Sequence, residues 1–142
     1  MQVTLKRLND AFHLEAANES GNTVNLDASP AIGGQGKGAR PMELLLMGLG
    51  GCSAIDVLSI LKKARQPVED LQVTVNAERE QGTEPALFKT IHAHYVITGA
   101  VAPERAQQAV NLSLEKYCSV ARVLEKSATI TWSYEIRAEE NS

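Results

Sequence analysis

The chain has 142 residues, of which 44% are hydrophobic and 22% charged, and its formal net charge is −3. A chain of this length is expected to form one domain over residues 1–142, with a core that needs no metal or disulfide for folding. The negative charge gives no electrostatic reason to expect nucleic acid or an anionic membrane as a partner.

A β-meander is predicted at the N-terminus. Residues 2–8 and 11–16 alternate polar with apolar side chains around the turn-forming pair Asn9-Asp10, a pattern typical of a hairpin, and residues 23–27 indicate a third strand. The start of the chain lacks the apolar segment of a secretory signal. We therefore expect a cytoplasmic protein whose cysteines are reduced at rest.

Residues 29–39 contain four glycines and are predicted to form a loop. The Gly36-Lys37 pair does not make this loop a phosphate-binding P-loop. That motif needs Ser or Thr after the lysine and a glycine five residues before Gly36, where this chain has Gly38 and Ala31. A mobile linker is the expected structure.

The longest mostly apolar run covers residues 40–64 and predicts a buried helix. Pro41 suits the first turn of that helix, and Pro67 stops it. Three glycines lie between residues 48 and 51, and because glycine is unfavourable inside a helix, we expect another backbone to pack closely there. Asp56 and these glycines argue against a membrane span, which leaves a domain core or a subunit interface.

The second half of the chain is predicted to hold a hairpin, a helix and a last strand. Alternation over residues 71–76 and 91–98 indicates two antiparallel strands, and Pro103 opens an amphipathic helix that ends beside Cys118. A short helical turn over 120–126 and a strand over 129–136 follow. The predicted fold class is α+β, with antiparallel sheets around a buried central helix.

Cys52 and Cys118 are the main candidates for chemistry. Their separation of 66 residues is not that of a Cys-x-x-Cys redox motif or a zinc half-site, and two buried, unreactive cysteines would also explain them. The glycines before Cys52 and the helix end at Cys118 oppose this interpretation and fit a peroxidatic thiol with a resolving partner. A charged Asp56, one turn after Cys52, would raise the pKa of that thiol, so this interpretation requires an arginine near Cys52.

His92 and His94 share one face of a predicted strand, which offers half a metal site. No third ligand lies at a useful spacing, and the opposite face carries the core residues Ala93, Tyr95 and Ile97. We expect both histidines to face solvent. The residues indicate no metal and no organic cofactor.

Three segments carry a resemblance to a known family. Residues 30–56 contain Arg-Pro-Met-Glu-Leu-Leu-Leu and end with Gly-Gly-Cys-Ser-Ala-Ile-Asp, and Glu115-Lys-Tyr-Cys-Ser-Val precedes the last strand. With these segments the whole chain resembles the OsmC/Ohr family of osmotically inducible and organic hydroperoxide resistance proteins, in a less characterised OsmC-like branch. The resemblance implies an intertwined α+β homodimer with the two central helices at its heart and two active sites at the subunit interface.

The resemblance also implies an activity. Family peroxidases reduce organic hydroperoxides through a first cysteine, matching Cys52, which becomes a sulfenic acid. The second cysteine, matching Cys118, then forms a disulfide that a dithiol reductant such as a lipoylated protein opens. An arginine and a glutamate activate the first thiol.

These activating residues are less clear in this chain. The family's glutamate usually follows the proline directly, where this chain has Met42, and Glu43 is the neighbouring acidic candidate. In a regular helix Glu43 would point away from Cys52, because nine residues rotate about 180°. Arg7 is the best positional match for the arginine, and Arg40 is the alternative.

Two hypotheses therefore remain. The first is a homodimeric, thiol-dependent hydroperoxide reductase for oxidative stress defence. In this hypothesis Cys52 is the peroxidatic thiol and Cys118 the resolving thiol. The second is a ligand-binding or structural dimer that keeps the scaffold without the peroxidase chemistry, and it predicts a Cys52 pKa at or above about 8.5, the unperturbed value.

Overall fold

The computed structural model describes residues 1–138. The chain divides into two compact units, one ending at Leu45 and one beginning at Leu46. The first unit contains β1 (Val3–Arg7), β2 (Leu14–Asn18), β3 (Thr23–Leu26) and a 3-10 turn over Pro30–Ile32. Helix α1 (Pro41–Lys63) starts in the first unit and continues into the second. The second unit also contains β4 (Val68–Arg79), β5 (Phe88–Gly99), α2 (Pro103–Leu112), a π turn (Ser113–Tyr117), α3 (Ser119–Leu124) and β6 (Thr129–Arg137).

The first unit is the predicted antiparallel meander, in the order β1-β2-β3. Leu5 faces Ala16, and Ala16 in turn faces Val24. The turn after β1 is closed by Asn9, whose side-chain oxygen accepts the backbone N–H groups of Ala11 and His13 at 3.0 and 3.1 Å. An asparagine that bonds the backbone two residues on is a common turn former, so the local sequence explains this turn.

Asp27 organises the glycine-rich loop that follows β3. Its buried carboxylate accepts backbone N–H groups from Ala28, Gln35 and Lys37 at 2.8, 3.1 and 3.0 Å. These hydrogen bonds, with the one from Lys37 first, hold the pKa of the Asp27 carboxyl below its usual value. A side-chain carbon on Gly34 would overlap the carbonyl oxygen of Ala28, so this approach requires glycine. The expected mobile linker is instead a loop closed on one carboxylate.

The second unit contains a three-stranded sheet in the order β4-β5-β6. The predicted hairpin of β4 and β5 is confirmed and is longer than the alternation alone indicated. The last strand differs from the expectation of antiparallel sheets, because β6 pairs with β5 in parallel. The two helices between β5 and β6 supply the long crossover that a parallel neighbour needs.

Helix α1 runs unbroken through its three glycines. Its buried side chains recur every four residues, at Leu49, Ser53, Val57 and Leu61. Within residues 1–138, no backbone approaches the glycines from another element, so the close backbone packing expected there is not found. A side-chain carbon on Gly50 would lie 3.4 Å from Val75 Cγ2, an ordinary contact, and one on Gly51 would meet open space.

A second stripe of α1 is exposed and apolar. It consists of Met47, Gly51, Ile55 and Leu58, which follow one another at spacings of four, four and three residues. By length and composition α1 also meets the requirements of a membrane-spanning helix, which core helices of soluble proteins meet as well. One side of α1 is therefore buried by the rest of the chain, and the other side is exposed to solvent.

Candidate active site

The fold brings the two predicted thiols together. Cys52 lies in the middle of α1 and Cys118 between the π turn and α3. The two sulfurs and one carboxylate oxygen of Asp56 all lie within 4.8 Å of one another. Cys118 is buried and Cys52 is half-buried, so the pair has one enclosed and one approachable thiol.

The π turn places Cys118 opposite α1. The Cys118 backbone N–H donates to the Ser113 carbonyl at 2.7 Å, which widens the last turn before the chain leaves the helical conformation. Cys118 then caps α3, since its sulfur accepts the N–H of Ala121 at 3.4 Å. The Arg122 guanidinium donates to the carbonyls of Leu114 and Glu115 and thereby ties α3 back onto the π turn.

Asp56 is held by a partner from the π turn. The Ser113 hydroxyl donates to Asp56 Oδ2 at 3.0 Å and lies 3.4 Å from the Ser53 carbonyl oxygen. Asp56 follows Cys52 by four residues, so both side chains leave α1 on the same face. Ser113 therefore fixes a carboxylate directly beside the two sulfurs.

A buried tyrosine supports α1 at the same level. The Tyr95 hydroxyl donates to Ser53 Oγ at 2.6 Å, and Ser53 Oγ donates to the Leu49 carbonyl at 2.8 Å. Burial raises the pKa of Tyr95 to about 12, so its hydroxyl stays a neutral donor near neutral pH. This pair connects β5 to the helix that carries Cys52.

Hydrogen bonds favour the thiolate of Cys52. Burial raises the pKa of this thiol, but the backbone N–H of Val120, the Cys118 thiol and both the hydroxyl and N–H of Ser119 outweigh that effect. The net result is a Cys52 pKa below its ordinary value. Hydrogen-bond donors in the first residues of α3 thus lower the Cys52 pKa, an effect for which the sequence predicted an arginine.

The pKa of the second thiol, Cys118, is shifted in the opposite direction. Burial first, and then the neighbouring Cys52 and Asp56, raise the pKa of Cys118 to about 11, although the Ala121 N–H opposes the shift. Near neutral pH Cys118 is therefore a protonated donor to the Cys52 sulfur. Two identical side chains acquire different roles from their surroundings.

The predicted activating residues lie in the first unit. Glu43 Oε1 accepts the Arg40 backbone N–H at 2.9 Å at the start of α1, as in a capping box. The Arg7 side chain donates to the Ala11 carbonyl at 2.8 Å. Within the described part of the second unit, no arginine donates a hydrogen bond to Cys52. The activating roles of Glu43, Arg7 and Arg40 stay predictions.

The strand histidines lie on the sheet face opposite the core. His92 is within hydrogen-bond distance of Thr131 Oγ1 and Ser133 Oγ, at 2.7 and 2.8 Å, and His94 Nε2 lies 3.0 Å from Glu135. Both rings are half-buried, and Ala93 between them is fully buried. Their predicted position on the outer face is confirmed.

Three functional neighbours were not identified from the sequence. Ser113 lies in the predicted amphipathic helix, Ser53 lies in the family segment Gly-Gly-Cys-Ser-Ala-Ile-Asp, and Tyr95 is predicted only as a core residue, so the sequence assigns a hydrogen-bonding role to none of them. The available signal is the presence of hydroxyl side chains on faces that are otherwise apolar. A buried polar side chain needs a partner, so such residues point to a hydrogen-bond network without saying which atoms form it.

The fold and the two facing thiols define an α+β protein with a paired-cysteine centre. A family model described as OsmC-like protein matches residues 34–133, and the chain belongs to this family. Protein YhfA of Escherichia coli (strain K12) is 48% identical over 120 residues, which cover 84% of this chain and 86% of that protein. The family resemblance and the α+β class predicted from the sequence are confirmed.

Solved structures agree with the fold. A hypothetical protein from Aquifex aeolicus VF5 is 35% identical, with a TM-score of 0.84 and coverage of 98% of this chain and 97% of that one. An organic hydroperoxide resistance protein OsmC from Legionella pneumophila is 20% identical, with a TM-score of 0.70 and coverage of 95% and 97%. The latter likeness shows a shared fold alone.

Proposed function

We propose that the protein is a thiol-dependent peroxidase that reduces organic hydroperoxides in defence against oxidative stress. The observation that carries this proposal is the separation of less than 4.8 Å between the Cys52 and Cys118 sulfurs. A disulfide bond is about 2.05 Å long, so the two side chains must move closer together to form it.

The reaction has two steps within the chain. The Cys52 thiolate attacks one peroxide oxygen, the O–O bond breaks, and the alcohol leaves after taking a proton, which leaves a sulfenic acid on Cys52. The Cys118 sulfur then attacks Cys52 Sγ, the S–O bond breaks, and water leaves with the thiol proton. A dithiol, such as that of a lipoylated protein, reduces the resulting disulfide.

The environments of the two sulfurs support this order. Cys52 is the more accessible thiol and the one whose pKa is lowered, so it is the better nucleophile toward a peroxide. Cys118 is buried and protonated, which protects it from peroxide until Cys52 has been oxidised. A reducing compartment such as the cytoplasm, the proposed location, keeps both thiols ready.

The proposed substrate class is that of two proteins with the same fold. Structures from Legionella pneumophila and Elizabethkingia anophelis, both of this fold, are organic hydroperoxide resistance proteins. Their sequence identities of 20% and 17% limit the likeness to the fold. The paired thiols of this chain supply the chemical argument that the fold alone does not.

We also propose that the protein works as a homodimer through the exposed apolar stripe of α1. Met47, Ile55 and Leu58 expose 57%, 69% and 43% of their surface, and Gly51 leaves open space between them. A second copy of the same helix fits such a stripe, because glycine allows two helix backbones to approach closely.

The alternative of a ligand-binding or structural dimer without peroxidase activity has one observation in its favour. Asp56 lies beside Cys52, and the described part of the second unit supplies no guanidinium to offset the carboxylate. This alternative predicts an ordinary Cys52 thiol, whereas the hydrogen bonds from Ser119 and Val120 lower its pKa. The peroxidase hypothesis is therefore the better supported one.

The test of the proposed function follows the fate of each sulfur. The reduced protein is mixed with one equivalent of cumene hydroperoxide and analysed by peptide mass spectrometry, which should show a disulfide between Cys52 and Cys118. A Cys118→Ser variant should consume one equivalent and keep a sulfenic acid that dimedone traps. Unchanged peroxide consumption by a Cys52→Ser variant would refute the proposal.

A further inference from the structure

We propose that Cys52, Cys118 and Asp56 also form a binding site for a thiophilic divalent cation of the zinc class. The site exists only in the reduced protein. It goes beyond the proposed peroxidase function, because metal binding needs the two free thiols and the carboxylate but no peroxide and no reductant.

The donor set suits this class of ion. Two cysteine sulfurs are soft ligands that select zinc-like ions over magnesium or calcium, and a carboxylate oxygen is a common third zinc ligand. The three ligand atoms belong to side chains that the fold already holds together, within 4.8 Å of one another. In residues 1–138 this is the only group of three such side chains that lie so close.

The spacing is close to what a tetrahedral ion requires. With bond lengths of about 2.3 Å to sulfur and 2.0–2.2 Å to oxygen, ligand atoms around zinc are separated by about 3.5 to 3.8 Å. A contraction of at most about 1.0 to 1.3 Å from the 4.8 Å limit therefore brings all three atoms into coordination distance. We expect rotations of the three side chains to supply this contraction.

Two of the ligands leave α1 one turn apart, and the third comes from the facing end of the π turn. Cys52 and Asp56 are four residues apart and share a helix face. Cys52 is half-buried, so solvent reaches this side of the site and water can serve as the fourth ligand.

The surrounding hydrogen bonds are those that orient metal ligands. Ser113 donates to Asp56 Oδ2 at 3.0 Å, which leaves the other carboxylate oxygen for an ion. The Ala121 N–H donates to the Cys118 sulfur at 3.4 Å. Partners of this kind orient ligands, and their loss typically lowers metal affinity about 10- to 100-fold.

Metal binding and thiol oxidation exclude each other at this site. A divalent cation needs both sulfurs as thiolates, so its binding releases the proton of Cys118, and a disulfide removes both sulfur ligands at once. A bound ion therefore blocks the attack of Cys52 on a peroxide, and oxidation of the pair releases the ion.

The test uses the full chain after reduction and removal of metals by a chelator. Zn²⁺ is titrated in competition with a chromophoric chelator, and Co²⁺ serves as a spectroscopic probe. We expect one ion per chain, sulfur-to-cobalt charge-transfer absorption, and loss of both signals in the protein oxidised to the disulfide. An Asp56→Asn variant should bind Zn²⁺ at least tenfold more weakly, and Ser113→Ala should weaken binding about tenfold.

A His92→Gln variant is the matched control, because it removes a metal-type side chain from the opposite face of the sheet and should bind Zn²⁺ as the parent does. Circular dichroism checks that each variant is folded, and the oxidised parent tests the sulfur ligands without any substitution. The proposal is overturned if the reduced protein binds no Zn²⁺, if Asp56→Asn binds with parental affinity, or if the disulfide form binds equally well. Since no peroxide is used, these results are independent of the peroxidase test.

Discussion

The Ser113 hydroxyl donates to the Asp56 carboxylate over 3.0 Å and so joins the π turn to the central helix at the level of the two thiols. The two residues are 57 positions apart in the chain. This bond orients the acidic side chain that lies beside both sulfurs in residues 1–138.

A Ser113→Ala substitution should destabilise the protein by about 1.5 to 3 kcal/mol, the usual contribution of a hydrogen bond to a charged group. Ser113 is fully buried, and its hydroxyl bonds a half-buried carboxylate. Urea unfolding followed by circular dichroism gives the free energy difference. Ser59→Ala on the exposed side of α1 is the control and should change stability by less than about 0.5 kcal/mol. Equal effects of the two substitutions would contradict the prediction.

The two thiols should titrate far apart. Because the folded state lowers the pKa of Cys52, this cysteine should be alkylated by iodoacetamide at a lower pH than in the urea-unfolded chain, whose thiols titrate near about 8.5. Cys118, with a pKa of about 11, should stay unlabelled up to pH values at which Cys52 is fully modified. Peptide mass spectrometry of the parent chain, reduced and kept with a chelator, resolves the two sites.

The order in which Cys52 and Cys118 are alkylated as the pH rises tests the predicted difference between their pKa values. Preferential modification of Cys118 would contradict the assignment of roles. A Cys52 midpoint at or above that of the unfolded chain would favour the alternative of a scaffold without peroxidase activity.

Tyr95→Phe should cost about 1 kcal/mol of unfolding free energy, because it removes a donor to Ser53 while preserving the packing of the ring. Ser53 keeps its bond to the Leu49 carbonyl, so the loss stays moderate. Thermal and urea unfolding measure the effect. Tyr134→Phe, which removes a hydroxyl with no hydrogen-bond partner in residues 1–138, is the control, and the idea fails if both variants lose the same stability.

Ile55→Glu should abolish self-association. It places a charge in the centre of the exposed stripe of α1, where burial against a second copy would leave that charge unpaired. Sedimentation velocity should show a dimer for the parent and a folded monomer for the variant. Val123→Glu on α3 is the control, since Val123 is exposed to 67% and Ile55 to 69%. A dimeric Ile55→Glu variant would disprove the proposed interface.

The secondary structure was largely predictable because its signals are local. Alternation from Ile91 to Ile97 predicts β5, and Pro41 marks the first residue of α1. The parallel pairing of β6 was not predictable in the same way, since alternation identifies a strand but not the direction of its neighbour. The role of Asp27 was also missed, because a single aspartate carries no periodic signal.

The site was predictable in its thiols but not in their surroundings. The family resemblance, rather than the spacing of Cys52 and Cys118, predicted that the two sulfurs meet. The sequence also indicated that Asp56 would require a nearby arginine. The donors that lower the Cys52 pKa include the backbone N–H groups of Ser119 and Val120, and a backbone group becomes a specific donor only once the chain is folded.

The hydrogen bonds between Cys52 and residues 118–120 have a consequence for biosynthesis. Cys52 is translated 66 residues before Cys118, which corresponds to roughly 3 to 13 s at typical synthesis rates. During this interval the nascent chain carries a cysteine without the groups that lower its pKa. Its reactivity toward oxidants is then that of any ordinary thiol, and the enhanced nucleophile is created only when the C-terminal half joins the central helix. Folding is in this sense the last step of activation, and the thiol is not yet an enhanced nucleophile while the chain is being made.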